Sequence, residues 1–178
     1  MKGLPLIFLF ALIFGTVSAQ DVRTPIKKNT IFLELGGNSP FYSLNYDRIV
    51  LEKPKLKLAA RIGAMYVDNT NNFLSSIKNH NYSLPLELSF LKGRNNHNLE
   101  IGIGATPYFR EYVEETRNDE FFIAPFGRIG YRYQKENGGV FFKAGFTPII
   151  RFKKDWESYN PKYVYPWAGL AIGYTLKN

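Results

Sequence analysis

From Asn29 onward, apolar residues recur at every second position rather than every third or fourth. That is the period of a half-buried β-strand and not of a helix. Lys55 to Tyr66 shows it best, with Leu56, Leu58, Ala60, Ile62, Ala64 and Tyr66 on one face and Lys55, Lys57, Arg61 and Gly63 on the other. Tyr82 to Phe90 sets Tyr82, Leu84, Leu86, Leu88 and Phe90 against Ser83, Pro85, Glu87 and Ser89. Leu99, Ile101, Ile103, Ala105, Pro107 and Phe109 oppose Glu100, Gly102, Gly104, Thr106 and Tyr108. Five further segments pass the same test: Thr30–Gly36, Phe41–Val50, Phe121–Tyr133, Val140–Pro148 and Val164–Leu176. Pro125 and Pro148 weaken theirs, because proline donates nothing to a ladder. The connections differ in length. Val67–Asn81, Glu111–Glu120 and Arg151–Tyr163 are long, whereas Gly37–Pro40, Leu51–Pro54, Lys92–Asn98 and Lys135–Gly139 are short. Eight antiparallel strands in up-and-down order, with long loops mostly at one end, predict a closed all-β barrel.

The polar faces carry charge at mid-strand: Glu34, Asp47, Arg61, Glu87, Glu100, Arg128 and Lys143, with Lys57 and Arg132 nearer the ends. Residues that face each other across an antiparallel turn lie equally far from its centre. By that measure Arg61 and Glu87, Glu87 and Glu100, and Glu100 and Arg128 fall close to one level, a belt of mixed sign. Asp47–Arg61–Glu87 and Glu100–Arg128 are its natural opposite pairs. Gly36, Gly63, Gly102, Gly104, Gly130, Gly145 and Gly173 share the charged face and leave room for long side chains.

The belt fits two barrels: a soluble one with an apolar lumen, or a membrane one with lipid outside and charge inside. The ends of the apolar face are aromatic. Tyr42, Tyr66, Tyr82 and Phe109 fall at the long-loop rim, and Tyr46, Phe90, Tyr131, Tyr133, Phe142 and Tyr174 towards the short-turn rim. Two aromatic rims around an apolar band favour the membrane form. Its lumen is then expected to be polar and plugged, since eight strands enclose a bore that side chains fill. Buried charge is tolerable there only when paired.

With these features the chain resembles the small eight-stranded outer-membrane β-barrels of Gram-negative bacteria. The resemblance covers roughly residues 29–178 and includes the closing strand from Trp167 to Leu176. The chain departs from that family's pattern in ending Leu176-Lys177-Asn178 rather than on an aromatic residue. The resemblance implies outer-membrane localisation, periplasmic termini, a monomer, contact with membrane lipids and delivery by the barrel-assembly machinery. It implies a structural or surface-interaction role, with the long loops displayed outside.

The N-terminus agrees. Lys2 precedes an apolar run from Leu4 to Phe14, and Val17-Ser18-Ala19 ends it in small residues. This is the order of a cleaved signal peptide over residues 1–19, with 20–28 as a periplasmic segment before the barrel. Losing Lys2 lowers the formal net charge from +8 to +7. No later stretch approaches the roughly 20 apolar residues of a spanning helix.

Composition narrows the chemistry. Aromatics make 16% of the chain, there is no cysteine, and there are two histidines. That excludes a disulfide scaffold, a cysteine-ligated metal and a thiol nucleophile, and no cofactor or metal is expected. A narrow porin-like channel for ions or small solutes is the second reading. A lipid hydrolase is the third, since His80, Ser83, Ser75 and Ser76 lie near the long-loop rim. No motif fixes a nucleophile–base geometry among them, so the expectation is a polar loop and no enzyme. His97, among Asn95, Asn96 and Asn98, reads as solvated. A soluble lipocalin-like carrier, with Leu84, Leu86, Leu88, Ile101 and Ile103 in its lumen, is the fourth. The loop Glu111–Glu120 is acidic, whereas Arg151, Lys153, Lys154 and Trp156 suit contact with surface glycolipid phosphates. Nucleic acid is not an expected partner despite the basic balance.

Overall fold

The computed structural model describes residues 28–53, 56–70, 78–114, 117–152 and 161–177. The signal-peptide and periplasmic readings of residues 1–27 therefore lie outside the described residues. The strands are β1 (Asn29–Gly36), β2 (Tyr42–Lys53), β3 (Leu56–Asp68), β4 (Asn79–Ser83), β5 (Leu86–Arg94), β6 (His97–Tyr112), β7 (Glu120–Gln134), β8 (Gly139–Phe146), β9 (Ile149–Phe152), β10 (Pro161–Tyr165) and β11 (Ala168–Thr175).

All pairings are antiparallel, and they close on themselves. β1 pairs β2, β2 pairs β3, and β3 pairs both β4 and β5. These two pair β6, which pairs β7, which pairs β8. β8 pairs β11, and β11 returns to β1, with Thr30 opposite Thr175 and Gly36 opposite Gly169. A path around the ring crosses eight strands. The β9–β10 hairpin extends the wall at the long-loop end, where Phe126 of β7 faces Ile149. Among the described residues, no helix is long and apolar enough to cross a membrane.

The sequence predicts eight strands, and the described residues hold eleven: two of the eight break at proline, and a further strand follows the expected end of another. Tyr82–Phe90 divides at Leu84-Pro85 and Val164–Leu176 at Pro166-Trp167, whereas β9 begins after the expected end of Val140–Pro148 and, with the start of β10, takes up part of the expected loop Arg151–Tyr163. Each proline lacks the N–H that would continue the ladder. Pro107 and Pro125, by contrast, sit inside unbroken β6 and β7.

Alternation governs burial throughout. Ile31, Leu33 and Leu35 of β1 are exposed, whereas Thr30, Phe32 and Glu34 are buried. Ile103 and Ile172 reach 67% and 65% exposure, and Leu44, Leu88 and Leu170 also face outward. The soluble-carrier reading needs Leu84, Leu86, Leu88, Ile101 and Ile103 inside, but every one of them is on the outer wall. Leu84, Leu86 and Leu88 share the parity of Tyr82 and Phe90, and Ile103 and Ile101 lie opposite Leu88 and Phe90 in register, so all five fall on one face.

Candidate functional site

Among the described residues the interior holds eight buried charged residues, each at most 4% exposed: Glu34, Asp47, Glu87 and Glu100 against Arg61, Arg128, Arg132 and Lys143. Acids and bases balance. Arg61 on β3 reaches Glu34 at 2.6 Å and Glu87 at 2.9 Å. Arg128 on β7 reaches the same two carboxylates at 2.8 and 3.0 Å. Lys143 on β8 lies 2.7 Å from Glu100 and 3.6 Å from Glu87. Arg132 forms a two-pronged pair with Asp47 on β2 and accepts further support from Gln134, whose Oε1 receives its Nε–H at 3.0 Å.

Neutral groups complete the set. Asn45 Oδ1 accepts from Arg61 Nε at 2.9 Å, and Ser89 donates to Glu87 at 2.8 Å. Phe32 stacks on Phe141 at 4.9 Å between centroids, under the guanidinium groups of Arg61 (5.1 Å) and Arg132 (5.0 Å). Small residues give this network its space: a Cβ on Gly63 would lie 2.1 Å from Asn45 Oδ1, and one on Gly102 2.5 Å from Glu87 Oε1.

All seven residues of the expected belt are buried in the ring, but several partners differ. Asp47 lies opposite Arg61 in register yet forms its ion pair with Arg132. Glu100 faces Gly130 and Leu91 rather than Arg128 or Glu87, and Arg128 faces Gly102. The turn-centre argument compares neighbouring strands, whereas long side chains in a narrow bore reach across it. Arg132, expected near an end, is wholly buried in the network. Its even spacing from Arg128 was the available signal. Lys57 does sit towards the turn end, 3.7 Å from Glu136.

The predicted rim aromatics line the outer wall. Tyr66 and Tyr82 lie 5.1 Å apart, Tyr82 and Phe109 6.1 Å, and the Tyr42 hydroxyl donates to the Tyr66 carbonyl. At the other rim Tyr46 donates to Asn29 Oδ1 at 2.8 Å. Phe90, Phe142 and Tyr174 are exposed there, and Tyr133 lies against the His97 ring. His97 is exposed but not simply solvated: its Nδ1 is 2.6 Å from the Tyr131 hydroxyl.

The hydrolase candidates do not meet. Ser83 is buried with its hydroxyl 3.0 Å from that of Ser39, whereas His80 faces the Tyr66 hydroxyl (3.2 Å) and Asp68 (3.6 Å). An odd spacing along β4 places them on opposite faces. Ser75 and Ser76 lie outside the described residues. Among the described residues no cluster of His, Asp and Glu is arranged to hold a metal ion. In the acidic loop, Arg110 pairs with Glu120 at 3.1 Å and Arg117 with Glu114 at 3.4 Å. Of the glycolipid candidates, Arg151 belongs to β9, and Lys153, Lys154 and Trp156 lie outside the described residues.

No protein-family model matches the chain, and no curated protein matches it. Among solved structures, the N-terminal β-barrel domain of Pseudomonas aeruginosa OprF is similar with a TM-score of 0.48 and 12% identity. The match covers 85% of this chain and 98% of that one. So slight a likeness carries no conclusion about this chain.

Proposed function

We propose that this protein is an integral outer-membrane β-barrel of eight strands around a plugged polar lumen. It is exported by a cleaved signal peptide and inserted by the barrel-assembly machinery. It acts as a monomer that supports the membrane or displays its long loops. The observation that carries this reading is the inversion of the ring: apolar side chains cover the outer wall while eight charges are buried inside. In water such a wall would leave an apolar surface far beyond what a soluble monomer tolerates; in lipid it is the solvated face. The balanced, mutually paired interior favours a structural plug over a channel, since selective pores line their path with rings of one sign. Outer-leaflet lipid is the partner of the wall, and Arg151, Lys153, Lys154 and Trp156 are the proposed contacts for glycolipid phosphate.

Electrophoresis of detergent-refolded protein in SDS, unboiled beside boiled, tests the reading. A closed membrane barrel keeps its hydrogen-bonded ring in SDS until heated, so the lanes should migrate differently. Identical migration, together with solubility in plain buffer, would refute it.

A further inference from the structure

The short connection Gly37–Pro40 joins β1 to β2 at the long-loop end, and it folds into the ring instead of standing above it. Asn38 and Ser39 are 1% and 0% exposed, although a polar turn of this kind belongs on the surface. Asn38 is held through both ends of its side chain and through its backbone. Its Nδ2 donates to Glu87 Oε2 at 2.7 Å, and its Oδ1 accepts from Arg128 Nη2 at 2.7 Å. Its main-chain carbonyl accepts from the hydroxyls of Thr106 and Tyr108, both at 2.9 Å. The inward path depends on two left-handed residues, Gly36 (φ +68°) and Gly37 (φ +70°). A Cβ on either would come within 2.5 Å of Ala168 O or of the Glu34 carboxyl carbon, respectively.

At the opposite end of the interior an apolar cluster stands beside the hydrogen-bonded Thr30, Thr175 and Gln134. Ile49, Ala59 and Leu91 pack there as a dry apolar cluster, each at most 1% exposed. A hydrogen-bonded seal can exchange its partners for water, whereas an apolar one has nothing to exchange.

We propose that Gly37–Pro40 is a stopper for the long-loop mouth of the ring, latched by Asn38 onto the Glu87–Arg128 pair, and that releasing the latch opens the interior to solvent from that end alone. The inference does not require a bilayer, so it stands or falls separately from the membrane reading.

The absence of native cysteine makes a single introduced thiol a clean reporter. Ala124 is buried on β7 opposite Thr106, level with the stopper, and makes none of the latch contacts. Ala59 sits in the apolar seal. Ala124→Cys and Ala59→Cys are each combined with the native loop and with Asn38→Ala, folded in detergent micelles, and reacted with a bulky water-soluble maleimide. Asn38→Ala should speed labelling at Ala124→Cys by on the order of a hundredfold, because two hydrogen bonds to charged groups are lost. Labelling at Ala59→Cys should not change. Unchanged labelling at Ala124→Cys, or equal acceleration at both sites, would overturn the proposal. Should Asn38→Ala fail to fold, Ser39→Ala removes only the contact to Ser83, and an acceleration of about fivefold confined to Ala124→Cys is expected from that single bond. Its absence there is equally fatal.

Discussion

A single guanidinium shows how the interior is held. Arg128 serves Glu34 and Glu87 at once, and Asn38 lies against its Nη2. Truncating it leaves two buried carboxylates to Arg61 and Lys143 alone. Removing one partner from a buried pair typically costs about 3–5 kcal/mol, because the stranded charge cannot be rehydrated. Arg128→Ala should therefore lower the urea midpoint of the refolded protein sharply while planar-bilayer conductance stays near background. A stable variant with strongly raised conductance would show that the network closes a path rather than supports a wall. At this scale the sequence told which residues point inward, since a period of two leaves each residue one of two faces. It did not tell whom they meet. Asp47 and Arg132 are 85 positions apart, and no pattern along the chain encodes a reach across a bore. Asn38 left no trace either: Gly37-Asn38-Ser39-Pro40 has the composition of any exposed turn.

Among the strands, the proline breaks interrupt hydrogen bonding without altering register. Met65 faces Ser83 before the first break and Ile62 faces Leu86 after it, the same alignment on both sides. Leu84 still donates to the Pro107 carbonyl, and Pro85 still accepts from Gly63. Only one donor is missing, directed towards β3. Pro85→Val should supply it, joining β4 and β5 into one strand. A rise in unfolding stability of about 0.5–1 kcal/mol is expected from one added ladder bond, with slow hydrogen exchange at the new amide. A loss of stability would mean that the kink itself is needed by the wall. Alternation runs straight through Leu84-Pro85 and Pro166-Trp167, which is why the sequence reads a single strand at each place where the ladder divides. Strand tilt in a closed ring explains the other difference: it staggers neighbours, so Arg61 and Glu87 are register partners but Glu100 and Arg128 are not.

For the molecule as a whole, the decisive property is which side faces solvent, and one substitution interrogates it. Ile103, near the middle of β6, is 67% exposed. On a water-facing wall Ile103→Arg would be nearly neutral, as surface substitutions usually are. On a lipid-facing wall it should cost about 2–4 kcal/mol, the midplane value for arginine. Unfolding in phospholipid vesicles reads the difference.

The ring also sets a schedule for its own making. Its seam joins β1 to β11, so Thr30 and Thr175, 145 positions apart, share a hydrogen bond between their hydroxyls. Neither strand has its second neighbour until the chain has been delivered through Thr175. Every intermediate short of that carries two raw sheet edges, the surfaces on which chains aggregate. The molecule cannot ripen strand by strand as it emerges. The ring stays unsealed until β11 arrives, and then shuts in a single late event.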